Sequence, residues 1–202
     1  MKMHALLASL TLAAGLQAQT WTFDGTHSSV GFAIKHLAVS TVHGEFDKIE
    51  ATLTGDPKKP ASLAAEVTIQ VASVNTKSDK RDEHLRSPDF FDAAKFATIT
   101  FKSEKVEVKG GKNVMVGTLT MHGVAKKVEI PFELSGPVAD PWKNTRVGLE
   151  GSFTINRQDF GVAGGVPVVG NDVKIDISSE FMQPAPAPAA APATPAAATP
   201  KK

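Results

Sequence analysis

The chain has 202 residues, with 22 Lys+Arg against 21 Asp+Glu, a formal net charge of +1, no cysteine and no tyrosine. This is the length of one ordinary globular domain, and a nearly neutral chain lacks the clustered basic face on which nucleic-acid binding depends. The absence of cysteine excludes disulfides, thiolate metal sites and a thiol nucleophile, so any chemistry falls to oxygen and imidazole groups.

At the start, Lys2 precedes an apolar run from Ala5 to Gly15, too short to span a bilayer, and Leu16-Gln17-Ala18 offers a small-residue cleavage site. The pattern predicts a secretory signal peptide over 1–18 and no stable membrane span. At the other end, 183–202 holds nine Ala and six Pro among twenty residues, without a large apolar side chain to offset the entropy of ordering it. A disordered, partly polyproline-like tail is expected there, leaving 19–182 as the folded domain.

Between these ends the chain alternates. Val30, Phe32, Ile34 and His36 share one side of an extended segment, and the same period of two recurs at Leu63 to Val71, Val128 to Leu134, Val147 to Ile155 and Val173 to Phe181. Weaker strands fit Ala97 to Val108 and Asn113 to Met121. Between Val42 and Leu53 the apolar phase slips, so a bulge near Asp47-Lys48 is needed to keep both halves facing inward. Turn signals at Gly55-Asp56-Pro57, Gly110-Gly111, His122-Gly123 and Gly136-Pro137 separate the strands. About eight to ten antiparallel strands over this length fit a barrel or a sandwich.

One helix interrupts the pattern. Thr76 and Ser78 can cap Asp79 to Arg86, and Ser87-Pro88 stops it and can start a second short turn through Phe91. The segment is too polar for a core and is expected to lie across a barrel rim, anchored by Leu85, Phe90 and Phe91. The uncharged stretch from Phe160 to Gly170 (FGVAGGVPVVG) has no strand period. It is open to three readings: an inward plug, the lining of a cavity mouth, or simple packing against its neighbours.

The familiar catalytic signatures are absent: no G-x-S-x-G, no H-E-x-x-H, no P-loop and no G-x-G-x-x-G opening a helix. Of the five histidines beyond the leader, His27, His36, His43, His84 and His122, none pair at metal-ligand spacing, which leaves only a site assembled across strands. His36 continues an apolar strand face, so two readings compete: a core histidine bonded to a carbonyl or carboxylate, and direct contact with a ligand. Arg81, Asp82, His84 and Arg86 on the helix and Arg157 with Asp159 after a strand suit an anionic headgroup at a cavity mouth, or else intramolecular pairing.

These residues resemble a known family, the YceI-like proteins, described as periplasmic lipid or polyisoprenoid binders. The matching stretches are THSSVGFAIKH (Thr26 to His36), VHGEFDKIEA (Val42 to Ala51), RDEHLRSPDFFDAAKFATITFKS (Arg81 to Ser103), GTLTMHGVAKKVEIPF (Gly117 to Phe132), INRQDFGV (Ile155 to Val162) and VGNDVKIDISSEF (Val169 to Phe181). The resemblance implies an all-β, lipocalin-like antiparallel barrel of about eight strands with one or two short helices. Its interior would take a polyisoprenoid tail, such as that of a quinone or prenyl phosphate, or a fatty acid or its amide. The resulting expectation is a periplasmic, non-catalytic carrier whose partner is a lipid and not nucleic acid. It needs no cofactor or metal, and a homodimer is open to it. Expected walls of the cavity or core are Phe32, Ile34, Val67, Ile69, Phe101, Leu119, Ile130, Phe132, Leu149, Phe153 and Ile175, with His36, His84, Arg86 and Arg157 as polar contacts. The alternatives are an enzyme acting on a lipid or quinone through a buried His36 or His84, and an envelope interaction module working through the tail.

Overall fold

In the computed structural model, which describes residues 19–184, antiparallel strands close into a barrel. The strands β1 (Thr20–Phe23) and β2 (Ser29–His36) both pair with β11 (Val169–Pro184). Next to them, β3 (Ser40–Phe46) pairs with β2 and β4 (Ile49–Thr54) pairs with β1; then β6 (Val74–Asn75) pairs with β3 and β5 (Ala64–Gln70) with β4. Each of these three couples is therefore one long strand broken in the middle. Adding β7 (Thr98–Lys109), β8 (Lys112–Met121), β9 (Val124–Ala139), β10 (Asn144–Asn156) and β11 gives an eight-stranded up-and-down ring, as the alternation and the resemblance led one to expect.

The breaks lie side by side. The backbone N–H of Asp47 donates to Ser73 O at 3.1 Å and that of Gln70 to Lys48 O at 3.0 Å, so the slip of phase at Asp47-Lys48 meets the 3₁₀ turn Val71–Ser73 of the neighbouring strand. Both Phe46 and Leu53 are buried across that slip, which is what the expected bulge had to achieve.

Two boundaries differ from the sequence reading. Gly136-Pro137 is not a turn: β9 continues to Ala139, and the pairing with β10 skips between Arg146 and Gly148. Proline has no N–H to give to the ladder, so it sits in the bulge where none is needed. The domain also outlasts its expected limit at 182, because Gln183 and Pro184 pair with Thr145 and Asn144 and Gln183 Nε2 donates to Thr20 O at 2.7 Å. The strand β1 was not anticipated at all. The expected signal peptide and the rest of the Ala/Pro tail lie outside the described residues.

One end of the barrel is packed solid. Trp21, Leu53, Leu63 and Val147 are at most 2% exposed there, and the indole of Trp21 donates to Gly55 O at 3.1 Å. Burying side chains of this size contributes about 1.5–3 kcal/mol each, so this plug is a main source of stability. At the other end, the helix α1 (Asp79–Arg86) crosses the rim with Phe90 buried and Leu85 and Phe91 packed on the core, as expected. Its capping is different: Ser78 holds the N-cap position without a side-chain bond. Instead the buried Asp82 reaches back to accept from the N–H and hydroxyl of Thr76, while Arg81 donates to Thr76 Oγ1 and O, both at 2.7 Å.

Three hairpin tips place two consecutive residues at positive φ. Gly110-Gly111 joins β7 to β8 and His122-Gly123 joins β8 to β9, the glycine-containing choice that such turns favour. The β2–β3 tip instead uses Leu37 (φ 52°) and Ala38 (φ 56°), closed by the N–H of Val39 donating to His36 O at 3.0 Å. A residue with a Cβ is strained in that region by roughly 1–2 kcal/mol.

Candidate functional site

Period-two alternation places Val30, Phe32 and Ile34 of β2 on the inside, and they meet Ile177, Ile175 and Val173 of β11 across the ladder. Ala51, Val67, Phe101 and Leu119 continue the inner wall strand by strand, each paired with the next. Space for the large rings comes from small neighbours: a Cβ on Gly44 would stand 2.3 Å from the ring of Phe32. The result is an apolar cavity of about 470 Å³ above the packed end, within the roughly 300–1,000 Å³ common for small-molecule pockets.

All the expected wall residues line this cavity: Phe32, Ile34, Val67, Ile69, Phe101, Leu119, Ile130, Phe132, Leu149, Phe153 and Ile175. Its polar lining consists of Lys35, His36, Thr76, Arg81, His84, Arg157 and Ser179, and among the described residues no aspartate or glutamate faces it. The sequence reading missed Lys35, Thr76 and Ser179. Lys35 lies on the outward face of β2 by period and reaches the cavity only because that strand ends at the rim.

The four expected polar contacts divide. His36 is half-buried at the rim and not a satisfied core residue, since among the described residues no side-chain hydrogen bond reaches its ring. His84 is also at the rim, 59% exposed in its side chain, with Nε2 3.1 Å from Asp89 Oδ2 and its ring edge-on to Phe90. Neither imidazole is the buried base that a catalytic reading assumed. Arg86 does not line the cavity: its guanidinium donates to Ala72 O at 2.8 Å and Val74 O at 3.0 Å, tying the helix to the break in the neighbouring strand.

Arg157 touches the cavity but is committed to the backbone. It is 4% exposed, and donates to Gly170 O at 2.7 Å, Val162 O at 2.8 Å and Val169 O at 3.1 Å. Burial draws its pKa down from the usual arginine value. These bonds fold the loop after Phe160 over the rim, and the loop combines the alternatives left open for it. Phe160 and Val162 pack inward, Gly165, Val168 and Val169 line the cavity mouth, and Val166 stays 52% exposed. The loop lies so close to the helical segment that a Cβ on Gly164 would stand 2.0 Å from Asp89 O.

A second polar cluster, Asp24, His27 and Glu180, lies outside the cavity with ligand-type atoms within 4.8 Å of one another. Its positive charge is supplied by Arg146, whose guanidinium is 2.8 Å from Asp24 Oδ2 and 2.7 Å from Asp140 Oδ2 and also bonds Glu180. The cluster is therefore an ion-pair clasp and not a metal site. Burial pushes the Asp140 carboxyl upward, but hydrogen bonds from Arg146 and Asn144 outweigh it and hold the pKa at about 2. Hydrogen bonds from Thr26, Arg146 and His27 hold Asp24 well below the usual carboxylate range. A depressed carboxylate pKa contributes stability that is present above the unfolded value of 3.8 and lost as pH falls through the folded one. Arg146→Met is accordingly expected to lower Tm at neutral pH, with the gap to the parent shrinking as pH falls from 3.8 through about 2; a pH-independent gap in thermal scans would refute the clasp.

Comparison with known proteins agrees with this architecture. A family model described as "YceI-like domain" matches residues 21–181. A UPF0312 protein of Staphylococcus aureus is 40% identical over 169 residues, 80% of this chain and 96% of that protein. The crystal structure of BcnA from Burkholderia cenocepacia superposes with a TM-score of 0.71 at 28% identity, covering 78% of this chain and 98% of that one. A domain from Saccharophagus degradans, described as polyisoprenoid-binding and implicated in plant cell wall breakdown, shares the fold with a TM-score of 0.62 at 19% identity, over 81% of this chain and 98% of its own. With the family model covering the whole barrel and a relative this similar along nearly its full length, the chain belongs to the YceI-like family.

Proposed function

We propose that the protein is a periplasmic carrier that holds the apolar tail of an isoprenoid or related amphiphilic lipid inside the barrel. The carrying observation is the cavity of about 470 Å³, walled by aliphatic and phenyl side chains, with cations and imidazoles at its rim and no carboxylate facing it among the described residues. Each methylene removed from water contributes about 0.8 kcal/mol, so the chain supplies most of the affinity and its chemistry is read loosely. An electronegative headgroup (phosphate, carboxylate or quinone carbonyl) suits Lys35 and His36. The polyisoprenoid-binding description of the S. degradans domain points to the same ligand class. Two rim imidazoles, neither buried, favour binding over chemistry.

Native mass spectrometry of the protein from its own periplasm, followed by organic extraction, tests this reading. A stoichiometric isoprenoid-type lipid is expected. Repeatedly empty protein that also fails to take up added quinone or prenyl lipid would overturn it.

A further inference from the structure

The largest exposed apolar side chains at the cavity end stand together. Leu37 is 58% exposed and Val39 85%, at the β2–β3 tip; Val166 and Val168 are 52% and 40% exposed, on the loop beside it. The two tips are joined by the N–H of Leu37 donating to Val168 O at 2.7 Å, and Val168 itself lines the cavity. Apolar side chains thus extend from the cavity wall at Val168 to the outside of the rim. The β2–β3 tip bears a double cost, since leucine and alanine hold two positive-φ positions where each of the other two such turns has at least one glycine, and the side chains so held face water. Strain combined with exposure is a sign that the tip is kept for a contact.

We infer that Leu37, Ala38, Val39, Val166 and Val168 form a wedge that inserts into a phospholipid bilayer and seats the barrel mouth on it for loading and unloading. Five exposed side chains on two narrow turns fall far short of the roughly 1,200 Å² that a stable protein interface needs. They suit the shallow apolar insertion by which amphipathic surfaces hold to a membrane. Lys35 stands at the same rim, and among the described residues it has no carboxylate partner, which complements anionic headgroups. The inference rests on the lipid-carrier reading for its purpose. A ligand that is insoluble in water has to enter the cavity without crossing water, and the wedge is on the side of the barrel where the cavity opens.

Flotation of the protein with phosphatidylethanolamine–phosphatidylglycerol vesicles tests it directly. The parent protein is expected to float with the vesicles. Leu37→Asn combined with Ala38→Gly relaxes the turn and removes its apolar tip, so this variant is expected to melt higher than the parent and yet to float at least tenfold less. Val166→Ser, at a residue outside the cavity lining, should also reduce flotation. Uptake of cis-parinaric acid, delivered as monomers from solution, should be unchanged in both. A parent that stays unbound, or a relaxed-turn variant that floats as well as the parent, would overturn the wedge, as would a tip-dependent dimer by sedimentation in protein that does not float. If flotation behaves as expected but no variant or parent takes up the fatty acid, the wedge stands and the cavity reading falls.

Discussion

Replacing Arg157 with leucine is expected to destabilise the protein by about 3–5 kcal/mol in urea unfolding, the range for uncovering a buried charged group's partners. The reason is geometric. Three carbonyls, of Val162, Val169 and Gly170, converge on one guanidinium that is 4% exposed, and leucine fills part of its volume while satisfying none of them. Each carbonyl left buried and unpaired costs about 1–3 kcal/mol, less wherever the loop can open to water. That relief has its own signature: the segment from Val162 to Val169 would lose protection in hydrogen exchange before the strands do. Arg157→Lys should fall between the two, because an ammonium cannot span three acceptors that a planar fork reaches. A loss under 1 kcal/mol for the leucine variant would mean that the carbonyls find water easily and that Arg157 is not what closes the loop.

Ala51→Trp is expected to weaken lipid binding roughly fiftyfold while leaving the barrel folded. Ala51 is among the smallest side chains on the cavity wall, paired with Val67 on the neighbouring strand, so an indole at this position projects into free space and not into packed core. Displacing three methylenes of a bound chain forfeits about 2.4 kcal/mol at 0.8 kcal/mol each, or close to two orders of magnitude in Kd. Lipid content after purification and fluorescence titration with cis-parinaric acid both report on it, with circular dichroism as the control for folding. A tryptophan variant that retains full lipid content would place the ligand outside the barrel. The contrast with Arg157 is informative: one change should cost stability, the other occupancy.

The inner wall was legible because alternation is a local property. Phe32, Ile34, Val67 and Phe101 could be assigned to one face without knowing which strand lies beside which, and the resemblance supplied the closure. The phase slip at Asp47-Lys48 was legible for the same reason. What failed was everything that depends on a partner distant in sequence. Arg86 and Arg157 looked equivalent as forks for an anion, and only the folded chain shows that their acceptors are backbone carbonyls 12 to 14 residues away in one case and 5 to 13 in the other. The Arg146 clasp joins Asp24 and Glu180, 122 and 34 residues away, and no spacing rule reaches that far. β1 went unseen because four residues, Thr20–Phe23, are too few to establish a period. Gly136-Pro137 misled because the pair is a turn signal in most contexts, and its place in a strand follows from a bulge fixed by pairing with β10.

The meander carries a consequence for how the molecule comes together. Apart from the closing seam, each long strand is hydrogen-bonded to its neighbours in sequence, so most of the sheet can zip up through short-range hairpins. The exception is the seam where β11 meets β1 and β2, which joins Phe23 to Phe181 and Val30 to Ile177. That seam has the largest loop-closure entropy to overcome, and until it forms the chain is an open curved sheet with its greasy concave face and two bare edges exposed. A lipid lying in that trough would cover the apolar face before the edges meet, so the same occupancy that fills the closed cavity would also favour closing it.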